Sequence, residues 1–504
     1  MMQISLFILS SRILKTVVAT VGLAALLFWS SDYIANRSSI TVIYDEFYRV
    51  AEETPVDVLV MGSSHSQTNV NTLMLAERLE FNVYTLGVPA QTLGLTRYAL
   101  EDALRVTRPR IVLIDTFFIA EPEILTDREH FAYEQLHAMK AWDVKMKCIT
   151  DLFSKSEYFD ASFPVINNHN GWKDPELIHK NRLYQYGGAS LEKNRHFNGF
   201  KPRLSSMDYY TFRVAEQMVY KPLNEVPEAS WNYVQEMIDL CHDSGAEPIF
   251  VQYPLPEAYT RKVGFSQRSD EVREEIIRRG ATYIDFSQSE IIETLGLKPQ
   301  DFMKETSTIG NYHLNISGAN KLTAFMAEEL KDYLQGALSS EFSEEMTRPW
   351  QLMRFLKGIR SDDLVLLTVN DDASIGWLPE EVAQLKRLGL NDLPQGFWGQ
   401  SYAALFTGNR KVLIEARSLD SIDLNYSRGD KLNGVTLPVD IHLVSTGVGA
   451  GAPEAHIWVD GYDYSFDYRG LNFAIYNMKT GRIRQVEQFD LYGRSLYLDL
   501  LINP

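Results

Sequence analysis

The stretch Val56-Asp57-Val58-Leu59-Val60-Met61-Gly62, which continues into Ser63 and Ser64, decides the fold class. A short apolar run that ends in a glycine is typical of a strand buried on both faces. A helical pattern follows at about 70–79, and another apolar run occupies 82–86. Strand, helix and strand in this order predict a parallel sheet that begins with the first run.

The same alternation continues on both sides of a long interruption, at about 120–225, that is rich in turns and aromatic residues. The further patterns are a helix near 95–106, a strand at 110–115, a helix at 230–242, strands at 247–252 and 282–286, and a helix at about 317–334. We therefore predict an α/β domain over 54–335, with a doubly wound, flavodoxin-like parallel sheet.

An uncharged run at 16–31 follows Arg12 and Lys15 near the N-terminus. With its apolar neighbours it approaches the ~20 residues that span a bilayer, and the preceding basic residues predict a cytoplasmic N-terminus. No small-x-small cleavage site follows, which favours an anchor over the alternative, a cleaved signal peptide. We predict a single-pass anchor at 1–36 in a bacterial inner membrane, with the bulk of the chain periplasmic.

Composition excludes some functions of this 504-residue chain. The net charge is −17, and no cluster of Lys and Arg is present, so a nucleic-acid partner is not expected. Only Cys148 and Cys241 occur, far apart, which argues against a disulfide framework or a zinc site. We predict neither a metal nor a cofactor.

Two residues at opposite ends of the predicted α/β domain could form a catalytic pair. Ser64 follows the first strand, at the edge of the sheet where ligands bind in such folds. A serine hydroxyl is a weak nucleophile and needs a base within hydrogen-bond reach. His313, immediately before the last helix of the domain, is the candidate base.

These residues resemble the motifs of the SGNH (GDSL) hydrolase superfamily, in particular its envelope branch of membrane-anchored acyltransferases. Gly62-Ser63-Ser64 is similar to the Gly-Asp-Ser block, with Ser63 in place of the aspartate. Gly87 matches the glycine of the second block, and His313 matches the histidine of the last block. The resemblance implies that Ser64 is the nucleophile, that His313 is the base, and that the N–H groups of Ser64 and Gly87 bind the oxyanion.

The sequence departs from the family pattern in two places. Gly310 stands where the family commonly has the aspartate that orients the histidine, so Asp301 or Glu305 could be the third member, or the enzyme could use a Ser–His dyad. The Gly-x-Asn-Asp block is also absent, since the third strand is followed by residues 115–118 (DTFF). Gln91 is the candidate for the missing oxyanion donor.

The sequence pattern changes at 346–504, where short predicted strands alternate with turns. Residues 354–359, 365–374 and 385–389 resemble one half of the ILEI/PANDER (FAM3-like, or GG) domain, and the segment that begins with 469–472 (RGLN) resembles the other half. The halves occur in the opposite order from the family, as in a circular permutation. The resemblance implies glycan binding or protein contact by an α+β, strand-rich domain.

The sequence predicts a serine esterase or O-acyl(acetyl)transferase that acts on a cell-envelope or extracellular polysaccharide. The resemblance to envelope acyltransferases implies a multispanning membrane acyltransferase as a partner. The alternative is a non-catalytic glycan-binding or assembly protein with a degenerate SGNH fold.

Overall fold

The computed structural model describes residues 14–23, 25–27, 30–31, 34, 38–121, 129–184, 197–207, 225–256, 260, 265–304, 312–334 and 351–495. Within these residues no helix is both long enough and apolar enough to cross a bilayer. Part of the predicted anchor at 1–36 lies outside the described residues, and the anchor stays a prediction.

The first domain is built on a five-stranded parallel sheet. Its strands are β1 (Val58–Met61), β2 (Val83–Thr85), β3 (Ile111–Asp115), β4 (Glu247–Gln252) and β5 (Thr282–Asp285). Their order across the sheet is β2-β1-β3-β4-β5, and every neighbouring pair is parallel. The predicted flavodoxin-like sheet is confirmed, and its strand order reverses between β1 and β3, where such folds bind ligands.

Helices cover both faces of this sheet. The α-helices in the described residues of this part of the chain are α1 (Ser39–Glu53), α2 (Ser64–Asn69), α3 (Thr72–Leu79), α4 (Leu93–Ala103), α5 (Glu129–Ala138), α6 (Trp142–Leu152), α7 (Tyr158–Ser162), α8 (Pro164–Asn167), α9 (Pro175–Tyr184), α10 (Glu228–Ser244), α11 (Phe265–Arg278), α12 (Ser289–Leu295) and α13 (Ile316–Leu334). One apolar core joins the sheet to α1, α4 and α10, and a second joins it to α3 and α13. Two buried faces explain why the strands are continuously apolar in sequence.

The insertion returns to the sheet beside the first helix after β1. Its residues 197–207 pack there: the Thr85 N–H donates to the Asn198 carbonyl (3.0 Å), and the Lys201 N–H donates to the Gln67 carbonyl (2.8 Å). Farther along, the Ile316 N–H donates to the Arg203 carbonyl (2.8 Å). The end of the insertion therefore runs from the edge of the sheet to the start of the last helix of the domain.

The second domain is rich in strands, as predicted. Its elements are α14 (Gln351–Lys357), β6 (Asp363–Asp371), α15 (Pro379–Arg387), β7 (Ser401–Thr407), β8 (Lys411–Ser418), β9 (Ile422–Tyr426), β10 (Lys431–Leu432), β11 (Val435–Thr436), β12 (Ile441–Gly447), β13 (Glu454–Val459), β14 (Tyr462–Asp463), β15 (Gly470–Asn477) and β16 (Arg482–Phe489). In the described residues nine strands form one sheet, and β10 with β11 forms a separate hairpin. Strands β6 and β15 are neighbours in the sheet, because β15 pairs antiparallel with β6.

Helix α9 of the insertion contacts the strand-rich domain. Leu183 is fully buried and belongs to the same apolar cluster as Leu366 and Phe466. A ring nitrogen of His179 lies 3.3 Å from the Ser465 carbonyl oxygen, and the Lys180 ammonium lies 4.3 Å from the centre of the Tyr468 ring. A helix that belongs to the first domain in sequence therefore contributes to the core of the second.

Candidate active site

Gly62 forms the turn at the end of β1. Its φ is +126°, a backbone conformation that residues with a side chain rarely adopt. A Cβ atom at this position would lie 2.5 Å from the Cβ of Asp115, at the end of the adjacent strand β3. The absence of a side chain lets the two strand ends approach closely, and the chain then turns into Ser63 and Ser64.

Ser64 is the first residue of α2, and Ser63 caps this helix. The Ser63 hydroxyl oxygen accepts a hydrogen bond from the His65 N–H (3.2 Å). The helix sequence SHSQTN shows no helical pattern of apolar residues, and residues 65–69 are all buried. The surrounding domain therefore stabilises this helix, which explains why the sequence pattern did not reveal it.

The loop that carries His313 is held against α2. The Leu314 N–H, next to His313, donates to the side-chain oxygen of Asn69 (3.0 Å). On the other side, the Met303 N–H donates to the His313 carbonyl (2.8 Å). The helix that begins at Ser64 and the loop that presents His313 are thus joined directly.

This arrangement brings Ser64 and His313 together. The distance from the Ser64 hydroxyl oxygen to Nε2 of His313 is 2.7 Å, although 249 positions separate the two residues in sequence. Ser64 is partly exposed, whereas residues 65–69 are buried. A partly exposed serine whose hydroxyl is hydrogen-bonded to an imidazole is the arrangement that nucleophilic catalysis by serine requires.

His65 packs beside this pair. Its ring stacks on the His313 ring, with 4.6 Å between centroids, and it also contacts the Phe117 ring at 4.1 Å. Burial, and then the charge of His313, lower the pKa of His65 well below its ordinary value. His65 is therefore neutral at physiological pH.

Asp115 is a buried carboxylate beside the turn formed by residues 62–64, and it was not among the residues predicted from the sequence. The Ser63 hydroxyl donates to its Oδ2, the Ser63 N–H donates to the same oxygen (3.2 Å), and the Phe117 N–H donates to Oδ1 (2.9 Å). Burial raises the pKa of Asp115 to about 6, and these hydrogen bonds together with the positive charge of His313 oppose the rise.

Of the two further oxyanion candidates, Gly87 lies against Ser63 and Ser66. A Cβ atom at Gly87 would be 2.5 Å from the Cβ of Ser66 and 2.9 Å from the Ser63 carbonyl oxygen. The Gly87 N–H donates to the Thr85 hydroxyl (3.1 Å), so it would have to leave or share this bond to bind an oxyanion. Gln91 is buried, and its backbone N–H donates to the Val88 carbonyl (3.4 Å).

Asp301, the predicted third member, bonds to other groups. Its Oδ2 accepts from the Lys298 N–H (2.8 Å) and forms an ion pair with Lys321 (2.7 Å), and its Oδ1 accepts from the Ser317 hydroxyl (2.8 Å). None of the side-chain hydrogen bonds of Asp301 in the described residues goes to His313. The alternative acid Glu305 lies outside the described residues, as does Gly310.

A structural role for Asp301 predicts a pH-dependent loss of stability in Asp301→Asn. Burial alone would raise the pKa of Asp301, but Lys321, the Lys298 N–H and Ser317 together lower it. Its stabilisation is present above the unfolded-state pKa of about 3.9 and is lost as pH falls through the lower folded-state pKa. We expect melting scans to show a lower Tm for the variant at pH 7, with the difference shrinking below about pH 4. An equal difference at every pH would contradict this.

The described residues contain no group of three or more His, Cys, Asp or Glu side chains arranged to hold a metal ion. Cys148 and Cys241 are both buried and not joined to each other.

Comparisons with known proteins give little guidance. No family model matches the chain, and no curated protein matches it. Among solved structures, the chain is similar to a Bacteroides fragilis protein provisionally described as an acylhydrolase, with 10% sequence identity and a TM-score of 0.28. That similarity covers 58% of this chain and 97% of the other.

Proposed function

We propose that this chain is a serine esterase or O-acyltransferase that acts on carbohydrate esters, with Ser64 as nucleophile and His313 as base. The observation that carries the proposal is the 2.7 Å contact between the Ser64 hydroxyl and Nε2 of His313. The pair lies beyond the carboxyl end of β1, where the strand order reverses.

In the first half-reaction the Ser64 oxygen attacks the ester carbonyl carbon while its proton moves to Nε2 of His313. The tetrahedral intermediate then collapses, the bond to the alcohol oxygen breaks, and protonated His313 gives its proton to that leaving group. The products are the free alcohol and an acyl ester on Ser64.

In the second half-reaction His313 removes a proton from the acceptor as the acceptor oxygen attacks the acyl carbon. The bond from carbon to the Ser64 oxygen breaks, and His313 returns the proton to Ser64. Water as acceptor gives hydrolysis, whereas a sugar hydroxyl gives transfer.

The oxyanion of each tetrahedral intermediate would be bound by the N–H groups of Ser64 and Gly87. Such donors contribute about 10²–10³-fold each to the rate. Because the Gly87 N–H bonds to Thr85 in this structure, substrate binding would have to redirect it.

The cellular setting is part of the same proposal. The uncharged run at 16–31 supports a single-pass anchor in the bacterial inner membrane, with the remainder periplasmic. An outward-facing acyltransferase requires a donor from the membrane, and a multispanning membrane acyltransferase is the partner that fits. The strand-rich domain would bind the polysaccharide, as its resemblance to the ILEI/PANDER domain implies.

A non-catalytic glycan-binding or assembly protein is the second candidate. The hydrogen bond from Gly87 to Thr85 favours it, because an oxyanion donor committed to the protein does not stabilise an intermediate. In this case the site at Ser64 would contact a glycan without removing its acyl groups.

Trapping of the acyl group distinguishes the two candidates. Full-length protein is incubated with a chromogenic acetyl ester, with and without acetyl-free oligosaccharides, and is analysed by intact and peptide mass spectrometry. The proposal expects acetyl on the peptide that contains Ser64, and acetylated oligosaccharide if the protein is a transferase. Protein that binds the oligosaccharide but neither forms the acyl adduct nor releases the chromogenic alcohol would support the binding protein.

A further inference from the structure

A protonated His313 forms in each half-reaction, so a negative charge held nearby would stabilise it. We propose that Asp115 is the acidic partner of the Ser64–His313 pair and stabilises protonated His313 through space. This inference rests on the proposed function and names a positioning residue for it.

The position of Asp115 is fixed relative to the nucleophile. Asp115 ends β3, directly across the strand-order reversal from the turn after β1, and it is only 4% exposed. Its Oδ2 accepts from both the backbone and the side chain of Ser63, the residue that precedes Ser64. A carboxylate held by these bonds cannot move away without disturbing the turn formed by residues 62–64.

A chain of contacts connects this carboxylate to His313. The Ser63 hydroxyl, which donates to Asp115, lies 3.3 Å from Nδ1 of His65, and the His65 ring stacks on the His313 ring. His65 is buried and neutral, so it occupies this space without adding a charge. Buried protein groups screen a charge less than water does, so a negative charge at Asp115 acts on His313 over a longer distance.

The titratable groups around Asp115 are consistent with this role. They are His65 from α2, His313 from the loop before α13, and Tyr253 after β4. Burial and then the charge of Asp115 raise the pKa of Tyr253 well above its ordinary value, so its phenol stays neutral. His313 is therefore the one of these three groups that gains a positive charge during the proposed reaction.

The test compares Asp115→Asn with Asp285→Asn in the full-length protein. Asp285 is a matched control because it is also a buried aspartate at the end of a parallel strand with serine hydroxyl donors, Ser269 and Ser287. The measurement is the rate at which a fluorophosphonate probe labels Ser64, followed by intact mass from pH 4.5 to 8.5. In this reaction the Ser64 oxygen forms a bond to phosphorus, fluoride leaves, and His313 accepts the serine proton.

Removal of the negative charge makes protonated His313 less stable. We expect the probe to label Asp115→Asn about tenfold more slowly than wild type at pH 7.5. In the plot of labelling rate against pH, the acid limb, where the rate falls towards low pH, should move to lower pH by up to about one unit. The limb should also become less steep, because the wild-type limb contains the coupled titration of Asp115, whose pKa is about 6. Asp285→Asn should keep the wild-type limb.

Three results would overturn the inference. In the first, Asp115→Asn keeps both the wild-type rate and the wild-type limb. In the second, it loses rate without a change in the position or steepness of the limb, which would indicate a purely structural role. In the third, wild-type Ser64 is not labelled at any pH, which overturns the proposed function and this inference with it.

Discussion

Replacement of Ser64 by alanine is expected to reduce ester hydrolysis by at least about 10³-fold, and His313→Ala by a similar factor. The reason is the 2.7 Å contact: alanine at 64 removes the nucleophile, and alanine at 313 leaves the hydroxyl without its base. Because the two side chains act as a unit, the double variant should be no slower than either single variant. Initial rates with a chromogenic acetyl ester measure all three.

Ser66→Ala is the matched control for this experiment. Ser66 lies two residues from Ser64 on the same helix, and its hydroxyl donates to the Met61 carbonyl (2.9 Å). This variant removes a buried serine hydroxyl next to the site and should stay within about tenfold of the wild-type rate. Hydrolysis that persists at the wild-type rate in Ser64→Ala would refute the proposed function.

Replacement of Gly62 by alanine is expected to destabilise the first domain by about 2–4 kcal/mol. Two costs add, because alanine would be strained at φ +126° and its Cβ would come within 2.5 Å of the Cβ of Asp115. The ends of β1 and β3 would have to separate, which would also displace Ser64. Urea unfolding measures the stability, and the acetyl-ester assay measures the accompanying loss of rate.

Gly245→Ala separates strain from steric overlap. Gly245 also has a positive φ, +80°, but nothing lies within 4 Å of the Cβ that alanine would add. This variant should cost about 1 kcal/mol and leave the rate unchanged. Equal losses of stability in the two variants would show that the contact between β1 and β3 contributes nothing.

Apolar strands and their alternation with helices were predictable from the sequence, whereas the polar helix after β1 was not. The run at 56–62 reads as a buried strand because both faces of the sheet are covered, and β1 is indeed buried throughout. Helix α2 consists of Ser, His, Gln, Thr and Asn residues, which carry no helical signal of their own. It forms because the neighbouring elements bury it and bond to it.

The candidate site, like the fold, was predictable from the sequence only in part. Ser64 and His313 each occupy a position that a fold of this class gives to a functional residue, so their approach could be anticipated. The contact between Ser63 and Asp115 could not, because it depends on two strand ends that only the three-dimensional register brings together. Asp301 showed the opposite outcome: its position in sequence suggested a catalytic acid, but its carboxylate bonds to the Lys298 N–H and to Ser317 and Lys321 of α13.

The packing of α9 limits how this protein can be divided. Cleavage of the chain at residue 346 would separate the strand-rich domain from Leu183, which belongs to its apolar core. The apolar surface that Leu183 covers would then be exposed to solvent. A fragment that keeps the core of this domain intact therefore has to contain α9, even though residues 185–350 lie between α9 and α14 in sequence.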